Sequence, residues 1–459
     1  MADLATLVAI PSVEDMDGAR EGAPYGPEAA RALEAALGIA QRLGFEPHNL
    51  EGHVGYADAV AAESREPRKQ LGIIGHVDVV PTGPGWTVDP WTLTRREGYV
   101  LGRGVLDDKG PLLVAMHALA AVRAFAADHA ADPAYPEFAG GSLPFDTRII
   151  VGCNEETFMR DVDYYQAHVA DPDFLFTPDA EFPVGYGEKG IYQAELLSAP
   201  QPADQMGLEE IAGGSAVNAV PGEASALVRR VGRMTAEGRT AHASKPYEGE
   251  SAILRLIAGL LDGFPSTMLT ETERNFLDMV ARVTGSFDGS GAGLAAEDGD
   301  FGPLTLVGGK ISLKDAGEEA PGAKCLVQTI DIRYPLTITA PEITARLEAA
   351  AEEVGATLRI IKVEPPYLTS ADTPEVQALL AAYQGITGDR EHGAFTMGGG
   401  TYARHFSRAA SFGLEMPWVE QPAWVGTMHG ADEGVSEEQL RTAFKVYATA
   451  IRNMAKLWR

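Results

Sequence analysis

The chain has 459 residues, with 37 Lys+Arg against 65 Asp+Glu, a net charge of -28 at pH 7. That length exceeds one ordinary hydrophobic core and predicts two domains, and a 45% hydrophobic, 22% charged make-up is that of a folded globular protein. The acidic balance argues against nucleic acid and against an anionic membrane surface as partners, because both would repel it. Two cysteines, Cys153 and Cys325, with no C-x-x-C, exclude a disulfide framework and read as small core thiols of a reducing compartment. The N-terminal M-A-D-L-A-T-L-V-A-I-P has no basic region and its apolar stretch stops at Pro11, unlike a signal peptide. No run approaches the roughly 18 apolar residues of a membrane span, so a cytoplasmic location is expected.

In chain order, Leu33, Leu37 and Ala40 recur at helical spacing before a stop at Gly44. L-G-I-I-G then reads as a buried strand running into His76, and Lys109 to about Ala127 as a long Ala-rich helix. Ala131–Pro144 is rich in Pro, Gly and Ala and predicts a loop. R-I-I-V-G runs into Asn154-Glu155-Glu156, and D-F-L-F-T into Asp179. Short apolar, β-branched runs of this kind are the signature of parallel strands. After Gly190 the pattern shifts to strands with longer loops, among which Ile253, Leu256, Ile257 and Leu260 mark one helix. Gly285–Gly302, dense in Gly and Asp, predicts an exposed loop that does not fit the calcium-loop template. From about Pro365 helix-strand alternation returns, and His429 lies in this last part.

Ligands of an open α/β sheet sit beyond the carboxyl ends of its strands, so three segments deliver metal-type side chains to one edge. Strand residues i and i+2 share a side, which lets His76 bind a metal while Asp78 orients it. Asp107 and Asp108 also fit an ordinary helix N-cap, but two cations roughly 3.5–4 Å apart require a bridging anion such as a carboxylate. Of Glu155 and Glu156, one can bind metal while the other serves as general base toward water. His429 joins His76 only if the middle of the chain is an insertion. That predicts a catalytic domain split over 1–190 and 366–459, with 191–365 as an inserted domain. G-Y-G-E-K-G (Gly185–Gly190) matches a dinucleotide fingerprint, but the following I-Y-Q-A-E-L alternates like a strand, where the fingerprint must open a helix.

Assembled, these residues resemble the co-catalytic dizinc metallopeptidase family of aminoacylases, succinyl-diaminopimelate desuccinylase, glutamate carboxypeptidase and bacterial dipeptidases, and within it the PepV-type dipeptidases. The resemblance spans nearly the whole chain: I-P-S-V-E-D, G-R-G-V-L-D-D-K-G-P, F-T-P-D-A-E-F-P with G-E-K-G after it, D-I-R-Y-P, G-G-G-T-Y-A-R and M-H-G-A-D-E. It implies an α/β fold with a split catalytic domain, a mostly parallel sheet flanked by helices, and an inserted α+β lid domain. It also implies two Zn2+ per chain, replaceable by Mn2+ or Co2+. One would be held by His76 and Asp179, the other by Glu156 and His429, with Asp107 bridging and a cis peptide between Asp107 and Asp108. Glu155 carries over as the base and Asp78 as the orienter of His76. From the lid, Asn218 and His242 would reach the substrate, His242 stabilising the oxyanion. Arg333 would bind the terminal carboxylate, with Gly399 and Gly400 of the Gly398–Gly400 loop adding backbone N–H groups. The activity implied is dipeptide hydrolysis by a monomer acting on a small peptide. N-deacylation, such as desuccinylation of a diaminopimelate precursor, is the alternative within the same chemistry, and a non-catalytic metal-binding protein the alternative outside it.

Overall fold

The apolar runs at Gln70–His76, Asp146–Gly152, Phe174–Thr177 and Ala409–Ser411 are the parallel centre of a mixed sheet in a computed structural model that describes residues 1–59, 68–263, 265–317 and 320–459. In space the order is Glu46–Leu50, Val54–Ala59, Asp146–Gly152, Gln70–His76, Phe174–Thr177, Ala409–Ser411, then the strand beginning at Gly185. The four central strands are parallel, and the pairs Glu46–Leu50 with Val54–Ala59, Val54–Ala59 with Asp146–Gly152 and Ala409–Ser411 with the strand at Gly185 are antiparallel. The central strands are buried almost throughout, as strands covered on both faces must be, which is why they read as continuous apolar runs.

Helices Pro27–Arg42, Lys109–Asp128 and Glu437–Leu457 contribute Leu33, Leu37, Leu112, Leu119, Val446 and Ile451 to the core of this unit. Helix Lys109–Asp128 corrects one expectation, since by length and composition alone it could cross a membrane. Its packing explains the composition: Leu112, Leu113, Ala115, Met116, Ala118 and Leu119 are buried, and it lies against Glu437–Leu457. A helix apolar on most sides is what a core position demands.

The chain divides into two units, one of residues 1–186, 368–395 and 401–459, the other of 187–367 and 396–400. The sequence placed the boundaries near 190 and 365 and gave the glycine loop to the outer part. Instead 396–400 goes with the middle unit, because the Thr396 hydroxyl donates to the carbonyl of Asp300 and the Gly398 carbonyl accepts from Arg333 at 2.9 Å.

The middle unit is an antiparallel sheet in the order Gly232–Glu237, Glu223–Val228, Leu208–Gly213, Thr305–Asp315, Ala323–Tyr334, Gly190–Leu197, Thr357–Glu364. The expected helix is Ala252–Asp262, and Ile253, Leu256, Ile257 and Leu260 are buried. Burying each contributes about 1.5–3 kcal/mol. Two further helices, Glu271–Thr284 and Ala340–Glu352, were not foreseen; each opens with a capping box, Thr270/Glu273 and Thr339/Glu342, the start signal the sequence did contain. Gly285–Gly302 is mostly irregular, with a 3-10 turn and a two-residue strand, Glu297–Asp298, that pairs with Gly302–Pro303 at its end.

Candidate metal centre and substrate-binding residues

The parallel strands end side by side, and their ends carry the site. His76 closes its strand opposite Gly152, Glu155 and Glu156 follow the next strand, and Asp179 follows Thr177. His76 Nε2 lies 3.0 Å from Asp107 Oδ1 and 3.6 Å from Asp179 Oδ2. His429 Nε2 lies 2.8 Å from Asp107 Oδ2 and 3.0 Å from Glu156 Oε2. Asp107 thus offers one oxygen to each histidine. Ligand atoms of His76, Glu155 and Asp179 fall within 4.8 Å of one another, as do those of His76, Asp107 and Glu156.

Orientation of His76 comes from Asp78 in two ways. Its main-chain carbonyl lies 3.0 Å from Nδ1 and its Oδ1 3.3 Å, so the backbone oxygen is the nearer acceptor. With Nδ1–H donating there, the lone pair of Nε2 faces the acidic cluster. Asp78 Oδ2 accepts the Glu156 N–H at 3.0 Å, tying two strand ends together. The Asp107–Asp108 peptide is cis. Asp108 begins helix Lys109–Asp128 without a side-chain cap bond; its Oδ2 accepts the His76 N–H instead, at 3.1 Å.

Two glycines make room for these supports. A Cβ on Gly75 would stand 2.2 Å from Asp108 Oδ2, and one on Gly152 2.0 Å from the Tyr402 hydroxyl oxygen, both impossible. Each strand therefore drops a side chain just ahead of the site, one residue before His76 and three before Glu155, so that a polar group can approach. The buried carboxylate of Asp161 accepts the Cys153 and Asn154 N–H groups at 2.7 and 2.9 Å and the Tyr402 hydroxyl, fixing the backbone just ahead of Glu155. Ser12, in the I-P-S-V-E-D segment, donates to the Val77 carbonyl at 2.5 Å and accepts the Val79 N–H through its own carbonyl. No local pattern marks Asp161, and Tyr402 lies in G-G-G-T-Y-A-R, a motif that assigns it no role from sequence.

The donor set fits divalent cations. Burial first, then Asp179, Glu156 and Asp107, push the Glu155 carboxyl well above its ordinary range. Burial and Asp107 raise Glu156 to about 7, and raise Asp179 as well. Burial opposes charge on His76, but Asp78 and the hydrogen bonds of Asp107 and Asp179 outweigh it and lift the imidazole. The His429 ring is likewise lifted by Asp107 and Glu156 against its burial, although its side chain is 50% exposed. Among the described residues, Glu156 Oε1, Asp78 Oδ1 and Asp108 Oδ1 are buried without a hydrogen-bond partner. Carboxylate and imidazole donors around one point suit zinc, and also manganese or cobalt.

In the middle unit a chain of contacts gathers the other candidates. The Asn218 carbonyl accepts the Ala243 N–H at 2.9 Å, and Ala219 pairs with His242. Ala243 in turn accepts from the hydroxyl of Thr305, the cross-strand partner of Arg333. His242 is exposed, and its Nδ1 accepts the Ser244 N–H at 3.2 Å. A neutral imidazole accepting at Nδ1 carries its proton on Nε2. Arg333 is only 4% exposed and already paired. Its Nε and one Nη donate to Asp331 at 2.7 and 3.2 Å, and the other Nη to the Gly398 carbonyl. Among the described residues these contacts engage Nε and one N–H of each terminal nitrogen, leaving one N–H on each for a further acceptor. Gly399 and Gly400 follow in the same loop, half-buried.

Comparison with known proteins matches the peptidase family M20/M25/M40 model over residues 72–453. The Beta-Ala-Xaa dipeptidase of Lactobacillus delbrueckii subsp. lactis is 30% identical, covering 99% of this chain and 96% of its own. A protein of Bacillus subtilis (strain 168) named as a candidate dipeptidase, YtjP, is also 30% identical, over 99% of this chain and 96% of its own. Among solved structures, the M20 family metallo-carboxypeptidase Sso-CP2 of Sulfolobus solfataricus superposes with a TM-score of 0.60 at 16% identity, over 99% of this chain and 98% of that one. At that identity the likeness speaks for the fold alone.

Proposed function

This chain belongs to peptidase family M20/M25/M40, and from that premise we propose that it is a dipeptidase working with two divalent cations, zinc by its donor set. The observation that carries the reading is the division of Asp107, one oxygen 3.0 Å from His76, which also faces Asp179, and the other 2.8 Å from His429, which also faces Glu156. Two cations bound there would lower the pKa of a water and polarise the scissile carbonyl. Glu155 takes the proton of the attacking water and returns it to the leaving amine nitrogen. Asp78 keeps Nε2 of His76 turned to its ligand position. The Nε2–H of His242 donates to the oxygen on which charge develops, with Asn218 beside it. The N–H groups of Arg333 not used by Asp331 and Gly398 receive the substrate's terminal carboxylate, with Gly399 and Gly400 donating from their backbone. The acidic residues around Glu155 and Asp179 attract the ammonium end. The enzyme is taken to act as a cytoplasmic monomer, His242 serving its own chain; activity that falls on dilution together with a dimer–monomer transition would contradict this.

The test is a hydrolysis panel of free α-dipeptides, β-alanyl dipeptides, N-acyl amino acids and N-succinyl-diaminopimelate, each with zinc, manganese or cobalt supplied. Cleavage of free dipeptides, strongly weakened by N-acetylation, is expected. Equal or better cleavage of the N-acyl amino acids would establish a deacylase instead.

A further inference from the structure

The loop that carries His429 is bent in a way L-residues rarely adopt: His429 has φ 60° and Asp432 φ 54°. Left-handed backbone at residues other than glycine persists only where surrounding contacts impose it. Here the contacts come from two neighbouring acids. Asp432 accepts the Thr87 N–H and hydroxyl, both at 2.8 Å, and the Val88 N–H at 3.4 Å. Its carbonyl accepts the Gly426 N–H at 2.8 Å. Glu433 reaches the other way. Its Oε1 accepts the N–H groups of Gly104, Leu106 and Asp107 at 3.0, 2.9 and 3.3 Å, and its Oε2 lies 2.5 Å from Arg103 Nη1.

Arg103 completes the brace. Its Nη2 faces the carbonyls of Pro81, Thr82 and His429 at 3.3, 3.4 and 3.2 Å, and its guanidinium lies over the Trp86 ring. Arg103 and Glu433 are 1% and 0% exposed, so the pair is desolvated and each charge depends on the other. Glu433 therefore grips the backbone of Asp107, and Arg103 grips the backbone of His429, across one ion pair. These are the two residues whose contact, His429 Nε2 to Asp107 Oδ2 at 2.8 Å, defines the second cation position.

We infer that Arg103 and Glu433 are positioning residues that set the cation position formed by His429, Glu156 and Asp107 Oδ2, leaving the position at His76 and Asp179 to other supports. Neither touches the ligand atoms; each acts through the backbone of a residue that does. A planar fork spanning one carboxylate and several carbonyls is a task for arginine that a lysine point charge does not perform. The inference rests on the two-cation reading.

The test is equilibrium dialysis of the full chain against buffered Zn2+, resolving two binding steps, for the unaltered chain, Glu433→Gln and Arg103→Lys. Glu433→Gln keeps an oxygen for the N–H groups but removes the charge facing Arg103; Arg103→Lys keeps the charge but loses the fork. Each variant should loosen one step by about 10–100-fold, the range for residues that orient metal ligands, and leave the other within about twofold. Excess Zn2+ should then restore turnover. Loosening of both steps alike, or a lowered melting temperature of the metal-free variant with neither step changed, would overturn the inference. Should a variant fail to fold, Thr87→Val, which removes one donor to Asp432, is expected to loosen the same step by a smaller factor; no change there counts against the brace. An unaltered chain binding fewer than two Zn2+ would instead overturn the two-cation reading itself.

Discussion

In the parallel-sheet unit, His76, Asp107, Glu156 and Asp179 have side chains between 0 and 13% exposed, and Asp78, Asp108, Asp161 and Glu433 hold the backbone around them. In the antiparallel unit, His242 is exposed and contacts Ser244 two residues away, and the buried Arg333 is held by a partner on its own strand, Asp331. The contrast matches two kinds of work. Holding cations in place requires donors fixed from several directions, and strand ends in one sheet supply that. Meeting a substrate requires groups on a surface. Loss of a ligand shared by both cation positions in the first unit should therefore reach the whole centre, and damage in the second should stay with the substrate step.

The largest effect is expected for Asp107→Ala, which removes an oxygen from both positions. Bound Zn2+ should fall toward none and dipeptide turnover to background; full retention of one Zn2+ would show that Asp107 does not bridge. Next, His242→Ala should lower kcat by about 10²–10³-fold, the cost of one oxyanion donor, with Zn2+ stoichiometry unchanged. Zinc loss in that variant would break the contrast between the units. Arg333→Ala leaves Asp331 buried without its partner, at a cost of about 3–5 kcal/mol, so its melting temperature should drop. It should also depress kcat/KM for free dipeptides far more than for the same dipeptides amidated at the C-terminus. Equal losses on both would assign Arg333 to holding the Gly398 loop alone.

The smallest effect is a pH dependence confined to the metal-free chain. His76 and His429 have raised folded-state pKa values, so the stability they add is full below about 6.5 and is lost as pH climbs through the raised values. Glu156, raised to about 7, favours folding while protonated, and that contribution also fades as pH rises from about 4.5 toward 7. The melting temperature of metal-free protein should thus decline between pH 5 and 8 while that of the Zn2+ form does not. Because ligands must shed protons to bind, apparent Zn2+ affinity should rise over the same range.

The strands that position the site were legible because a sheet covered on both faces imposes apolar runs, and L-G-I-I-G, R-I-I-V-G and D-F-L-F-T lie where the strands are. The metal-type side chains could be placed because His76 follows its run directly, and Glu155, Glu156 and Asp179 follow theirs within four residues. What the sequence concealed is what depends on distant pairing. Asp161 and Tyr402 are 241 positions apart, and Arg103 and Glu433 330 apart, so no window contains either pair. Arg333 looked available for a ligand although Asp331, two residues before it, shares its side of the strand and accepts from its Nε and one Nη. The middle helices Glu271–Thr284 and Ala340–Glu352 carry legible start signals in their capping boxes, set among strand-like runs that obscure them.

If cations and a separate general base act together at the strand ends, Glu155→Gln separates the two roles. The variant and the unaltered chain are loaded with Zn2+, their metal content is counted, and turnover of one free dipeptide is measured on the same samples. Two Zn2+ per chain in both, with turnover in the variant lower by about 10²–10⁴-fold, is the predicted result. A variant that loses zinc in step with its activity would make Glu155 a ligand, and one that keeps its activity would remove it from the reaction.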